Sequence, residues 1–181
     1  MFLTGACRKK PTATTTPIHQ AARAGNIQQI QALVSSGSNV NAENRWGETP
    51  LHKAAEEGHK DVVELLITKG SNINAKTSRR GETPLHEAAL NGHRDVVELL
   101  IAKGANVRAK NRFDHTPLHY AAGDGDAPGQ GHKDVAELLI AKGADINAKA
   151  GKGGWAGNTP LHQAARYGHE EVVGLLIVKG A

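Results

Sequence analysis

The stretch TPLHKAAEEGHKDVVELLITKGSNINAK, residues 49–76, decides the fold, because the chain repeats it. TPLHEAALNGHRDVVELLIAKGANVRAK follows at 83–110, and TPLHQAARYGHEEVVGLLIVKGA occupies 159–181. Thr-Pro-Leu-His stands at Thr49–His52, Thr83–His86, Thr116–His119 and Thr159–His162, with the weaker copy Thr16-Pro17-Ile18-His19 ahead of them. Successive copies start 33, 34, 33 and 43 residues apart. The last interval becomes regular once inserts near Gly123–Gln130 and Ala150–Gly157 are removed. A fixed period of this length is the signature of a stacked architecture.

Each residue type in the unit has a physical task. A threonine before proline avoids helical φ/ψ, and its hydroxyl can accept an orphan backbone N–H, so it reads as an N-cap. Proline at the first helical position loses no hydrogen bond. Leu51 and Ala54-Ala55 give a short helix with a small packing face, and Gly58 ends it where a left-handed residue is wanted. Asp61 opens a second helix, favourably placed against its N-terminal dipole. Val62, Val63, Leu65, Leu66 and Ile67 form the apolar face of that helix, and Gly70 stops it. Helices this short are unstable alone in water, so stability must come from stacking one unit on the next.

The period, the Thr-Pro-Leu-His and Ala-Ala strings, the Gly-His pair and the Leu-Leu-Ile…Lys-Gly-Ala run resemble the ankyrin repeat family over residues 16–181. The resemblance implies an all-α solenoid of stacked helix-turn-helix units with β-hairpin-like fingers between them. It also implies a concave groove, formed by the fingers and first helices, used mostly for protein recognition. Five units are expected, at about 16–43, 44–77, 78–110, 111–149 and 150–181, behind a tail of residues 1–15.

Composition narrows the function. The formal charge is +4, but Arg8, Lys9 and Lys10 supply three of those charges and residues 1–17 hold no acid, which leaves +1 for the rest. That is too little to point to nucleic acid, which needs clustered basic surface. One cysteine, Cys7, allows no intrachain disulfide, and no apolar run reaches the length of a membrane span.

Nine of the ten histidines occupy repeat slots. His19, His52, His86, His119 and His162 follow Pro-Leu or Pro-Ile, and His59, His93, His132 and His169 follow glycine. Copies of one slot lie roughly 10 Å apart at ordinary helix spacings, too far to share an ion whose ligands sit about 2 Å from it. The expected role is hydrogen bonding to backbone between repeats, with no metal and no cofactor. Ser35, Ser36 and Ser38 sit in a turn without a base, and Cys7 lies far from any ordered histidine, so catalysis is not expected. Glu64, Glu98 and Glu137 are repeat copies, read as solvated or stack-bridging charge. The insert at 123–131 lacks the spacing of a calcium loop, and Gly151-Lys152-Gly153-Gly154 lacks the end of a phosphate loop.

What varies between copies marks where a partner would touch. The finger tips hold Arg45-Trp46, Ser78-Arg79-Arg80, Arg112-Phe113-Asp114-His115 and Trp155-Ala156. The first-helix slots hold Lys53, Glu56 and Glu57, then Glu87, Leu90 and Asn91, then Tyr120 and Asp124, then Gln163, Arg166 and Tyr167. Five of the six aromatics, Trp46, Phe113, Tyr120, Trp155 and Tyr167, fall in these slots, whereas structural aromatics would sit among the aliphatic positions. A single finger aromatic can merely cover its neighbour's backbone, but five together with Arg45, Arg79, Arg80 and Arg112 make a candidate interface. The arginines hint at an acidic partner.

The leading reading is a non-enzymatic scaffold that binds another protein and has no small-molecule substrate. The alternatives are a recognition arm of a larger enzyme or effector chain, and a binder of an anionic ligand or nucleic acid through the finger arginines. At the N-terminus, residues 1–7 read either as a free stub of a cytoplasmic protein or as the remnant of a bacterial lipoprotein signal. The second would lipidate Cys7 and requires an apolar segment upstream of Met1. At the other end, the apolar Val172–Val178 helix, with no polar capping unit after it, leads to an expectation of self-association.

Overall fold

The computed structural model describes residues 16–123, 131–151 and 156–181. The tail with Cys7, most of the first insert and Trp155 lie outside them. Ten helices run among the described residues, in five pairs: α1 (Pro17–Arg23) with α2 (Ile27–Ser35), α3 (Pro50–Glu56) with α4 (Lys60–Thr68), α5 (Pro84–Leu90) with α6 (Arg94–Ala102), α7 (Pro117–Ala121) with α8 (Lys133–Ala141), and α9 (Pro160–Tyr167) with α10 (Glu170–Val178). The first helices pack in one layer, each on the next, and the second helices form the layer behind them. Between the layers lies one row of small and branched side chains, including Ala54, Ala55, Leu51 and Leu66 and their copies Ala88, Ala89, Leu85 and Leu100.

Each proline holds its expected place at the start of a first helix, after a threonine in extended conformation. The cap has an unforeseen partner. From the second repeat on, Thr and the histidine three residues later form a capping box, with imidazole where glutamate is usual. The N–H of Thr49 donates to Nδ1 of His52 at 3.1 Å, and the Thr49 hydroxyl lies 2.9 Å from the same nitrogen. The second helix α4 begins at Lys60, with Asp61 in its first turn rather than at its start.

Gly58 has φ +76, and a Cβ there would fall 2.5 Å from Nδ1 of His93 in the next repeat. Glycine is required at this position both by its conformation and by the imidazole laid against it.

The fingers contain no strand among the described residues. Each is a turn closed by two backbone bonds, such as Thr77 N–H to Glu82 O at 2.9 Å and Gly81 N–H to Thr77 O at 3.1 Å. Single bonds join successive tips: Ser78 N–H to Trp46 O at 2.7 Å, Arg112 N–H to Arg80 O at 2.7 Å, and Gly151 N–H to Phe113 O at 3.0 Å. Behind the fingers, Asn41 Nδ2 donates to Gly70 O at 3.0 Å and its Oδ1 accepts from Asn72 N–H at 2.7 Å. Asn74 repeats this pair on Gly104 and Asn106.

Candidate partner-binding groove

The histidines are consumed by the fold. Because Nδ1 of His52 accepts from Thr49 N–H, the ring is neutral with its proton on Nε2, which donates to Glu82 O at 3.1 Å. His19 reaches Glu48 O, His86 reaches His115 O and His119 reaches Asn158 O in the same way. The second histidine of the three middle units bonds in the opposite direction. His59 donates to Arg23 O at 2.9 Å, His93 to Glu56 O at 2.9 Å and His132 to Leu90 O at 3.0 Å. Burial disfavours the charged ring, holding His52 down to about 4 and His86 to about 3. No group of three or more potential metal ligands occurs among the described residues. None of their helices is long and apolar enough to cross a membrane.

One residue beyond the first histidine the pattern stops repeating. Gln20, Lys53, Glu87, Tyr120 and Gln163 occupy equivalent positions on the first helices, and Lys53, Glu87 and Tyr120 share a cleft with residues of the fingers. Lys53 bridges Glu48 at 2.9 Å and Glu56 at 2.8 Å. Glu48 also accepts from Asn44 Nδ2 at 2.6 Å, and these cationic and amide donors hold its carboxyl below the usual range despite burial. Tyr120 donates its hydroxyl to Glu82 at 2.7 Å and accepts from Asn111 at 3.1 Å. Thr77 donates to the other oxygen of Glu82 at 3.0 Å.

Glu48, Lys53, Thr77, Glu82, Glu87 and Tyr120 line a cleft of about 530 Å³ whose walls come from four successive repeats. Trp46, Arg79 and Arg80 come to it from the fingers, and Glu87, Leu90 and Tyr120 from the first helices.

Several residues expected in the interface are placed as follows. Trp46 is 39% exposed and Phe113 40%, as an interface role requires. Arg45 lies over Trp46, its guanidinium carbon 3.8 Å from the ring centroid. Arg79 and Arg112 are exposed, and Arg80 stands 3.8 Å from Glu82. Tyr120 differs from expectation. It is 4% exposed, packs edge-on against His86 at 5.3 Å, and serves as the floor of the cleft rather than as a free anchor. The expectation that no aromatic is structural is corrected by this ring. Tyr167 is partly buried and stacks on His169 at 6.2 Å, outside the cleft. Trp155 lies outside the described residues. Glu87 stands in a first-helix slot named from the sequence, whereas the carboxylates of Glu48 and Glu82 were not expected here, since only their enclosure by neighbouring repeats sets them apart from surface acids.

No curated protein sequence matches the chain. A family model described as ankyrin repeats, in three copies, matches residues 3–77, 75–150 and 113–181. The paired helices, the finger turns and the imidazole bonds between units agree with that match, and the chain belongs to the ankyrin repeat family.

Proposed function

We propose that the protein is a non-enzymatic scaffold that holds a partner protein in the concave groove between its finger tips and first helices. Ankyrin repeats are in general protein–protein interaction modules, which supports the class of function. The observation that carries the reading for this chain is the cleft across four repeats. Most of its lining comes from positions that differ between copies, whereas the Thr-Pro-Leu-His, Ala-Ala and Leu-Leu-Ile strings that build the stack recur. Exposed aromatic and arginine side chains at its rim, Trp46 and Arg79, are of the kind that dominate interface energies. The anionic-ligand reading is disfavoured, because Glu48, Glu82 and Glu87 line the same cleft as the arginines.

Crosslinking in native extract tests the proposal with three forms of the chain. These are the wild type, a groove variant (Trp46→Ala, Arg79→Ala, Leu90→Ala), and a control altered on the second-helix layer (Glu64→Ala, Glu98→Ala). The groove variant should lose the crosslinked partners that the control retains. Identical partners for all three would overturn the assignment. Tyr120 is left intact because removing its hydroxyl would disturb Glu82 and the fold around it.

A further inference from the structure

The second helices repeat one surface ridge until the last of them. Residues four apart stand in line on a helix. This line reads Lys60-Glu64-Thr68 on α4, Arg94-Glu98-Ala102 on α6 and Lys133-Glu137-Ala141 on α8, but Glu170-Gly174-Val178 on α10. The cation has become an acid, the acid a glycine, and the small residue a valine. Stacking does not account for the change. The ridge positions of α4, α6 and α8 are all exposed although a further repeat packs behind each of those helices, so the α10 ridge faces solvent whatever follows it. Val178 is 83% exposed, and Ile177 beside it 59%.

Gly174 has no use within the chain. A Cβ built there would meet nothing within 4 Å among the described residues, in contrast to Gly58, where one would strike His93. Glycine inside a helix weakens it, and its compensating property is that another chain can approach closely. The other second helices use this position for ion pairs: Glu98 stands 3.8 Å from Arg94, and Glu64 3.4 Å from Lys103. On α10 the pair is replaced by a gap, one turn ahead of an exposed valine.

We infer that this ridge is the contact between two copies of the chain, related by a two-fold axis. The two α10 helices run antiparallel, and Val178 of each copy seats in the gap over Gly174 of the other. A knob and a gap on the same ridge are what a self-complementary contact requires, whereas a foreign helix would need only one of them. Charge agrees with this alignment. With the axis midway between Gly174 and Val178, the two Glu170 carboxylates lie at opposite ends, roughly 18 Å apart along the helices and beyond the screening length of about 8 Å. A parallel alignment would set Glu170 against Glu170. The apolar surface points the same way. Among the described residues the other exposed large hydrophobic side chains are Trp46 and Phe113, at finger tips, so away from the groove an apolar contact is available only between two α10 ridges. Because α10 belongs to the layer behind the first helices, the pair leaves both grooves open.

Sedimentation equilibrium of the full chain, from about 10 µM to about 1 mM, covers the range of weak specific pairing. The chain should form dimers and no larger species. Glu170→Lys, Gly174→Glu and Val178→Ala together restore the ridge of α8. That variant should be monomeric and no less stable to heat, since the same residues already stand on an identical helix surface. Val178→Thr alone, which takes the residue of α4, should weaken the dimer about tenfold, because the lost contact counts twice across a two-fold axis. The groove variant (Trp46→Ala, Arg79→Ala, Leu90→Ala) should stay dimeric. A monomer at every concentration would overturn the inference, as would a dimer that the α8-like variant retains or that Val178→Thr leaves at full strength. Species growing beyond two copies would reveal an open contact and overturn the two-fold pairing. Loss of the dimer in the groove variant would place the contact in the groove and overturn it equally.

Discussion

The junction between the second and third repeats differs from the junction between the fourth and fifth, although nearly the same sequence builds both. At the first, His52 reaches forward to Glu82 O, His93 reaches back to Glu56 O, and both bonds are short. At the second, α7 is only Pro117–Ala121, and the insert follows Gly123 at the place where the backward bond should land. His119 still reaches Asn158 O at 3.3 Å, but Nε2 of His169 is buried with no hydrogen-bond partner among the described residues. Gln163, fully buried, has neither amide atom satisfied among them. The lesson is that a repeat's stability depends on its neighbour's length as well as on its own sequence. Where the insert follows Gly123, the equivalent of the Glu56 and Leu90 acceptors, the backward bond of His169 is not made.

Acid should break the difference most strongly. The rings of His52 and His86 take a proton at about 4 and about 3 in the folded chain, against an unfolded value near 6.5. Their contribution is present above pH 6.5 and is lost as pH falls below it, because the unfolded chain then binds protons that the folded chain refuses. At pH 5 each ring should have lost about 2 kcal/mol relative to pH 7. Glu87 works the other way, its raised carboxyl favouring the fold at lower pH, so the experiment belongs in the Glu87→Gln background. Urea midpoints at pH 7 and pH 5 should fall sharply there. A flat profile would show that the rings are not buried neutral.

Single histidines should rank next. His86→Ala removes the partner of Thr83 N–H and the donor to His115 O inside the core, and should cost about 3 kcal/mol. His162→Ala, at the same slot in the last repeat, removes an exposed ring bonded to its own Thr159, and should cost about 1 kcal/mol or less. Equal losses by urea unfolding would erase the distinction between the junctions. The smallest expected change runs in the other direction. Gln163→Leu replaces two unsatisfied buried atoms with apolar ones, and should stabilise the chain by about 1 kcal/mol. Hydrogen exchange should show the gain in α9 and α10 and leave α3 and α5 unchanged.

Much of this was legible in the sequence. The period located all five helix pairs, and proline and glycine marked their ends because each has a conformational reason to sit there. The histidines could be assigned to the stack, since one copy per repeat cannot converge on a metal. The direction of their bonds was not legible, because it depends on how far one finger overhangs the next helix. Nor was the Asn41 and Asn74 ladder, whose spacing looks like ordinary turn chemistry. The groove was half legible. Trp46 and Phe113 stand where variation between repeats placed them, at 39% and 40% exposure. Tyr120 and Glu87 occupy the same slot in successive repeats, yet one is a buried prop and the other an unmatched acid. Only the three-dimensional neighbours, Glu82 for the tyrosine and a ring of carboxylates for the glutamate, separate them.

The opposed directions of the two imidazole bonds have a consequence for cutting and splicing the chain. Removing residues 49–82 would join Glu48 to Thr83, leaving His19 its acceptor on Glu48 and offering His93 the Arg23 carbonyl that His59 now uses. Both imidazole bonds across the seam would be remade between equivalent atoms. A deletion shorter or longer than one whole repeat would instead strand one ring of each pair. The chain is thus modular in whole repeats only, and the two imidazole bonds set the length of that unit.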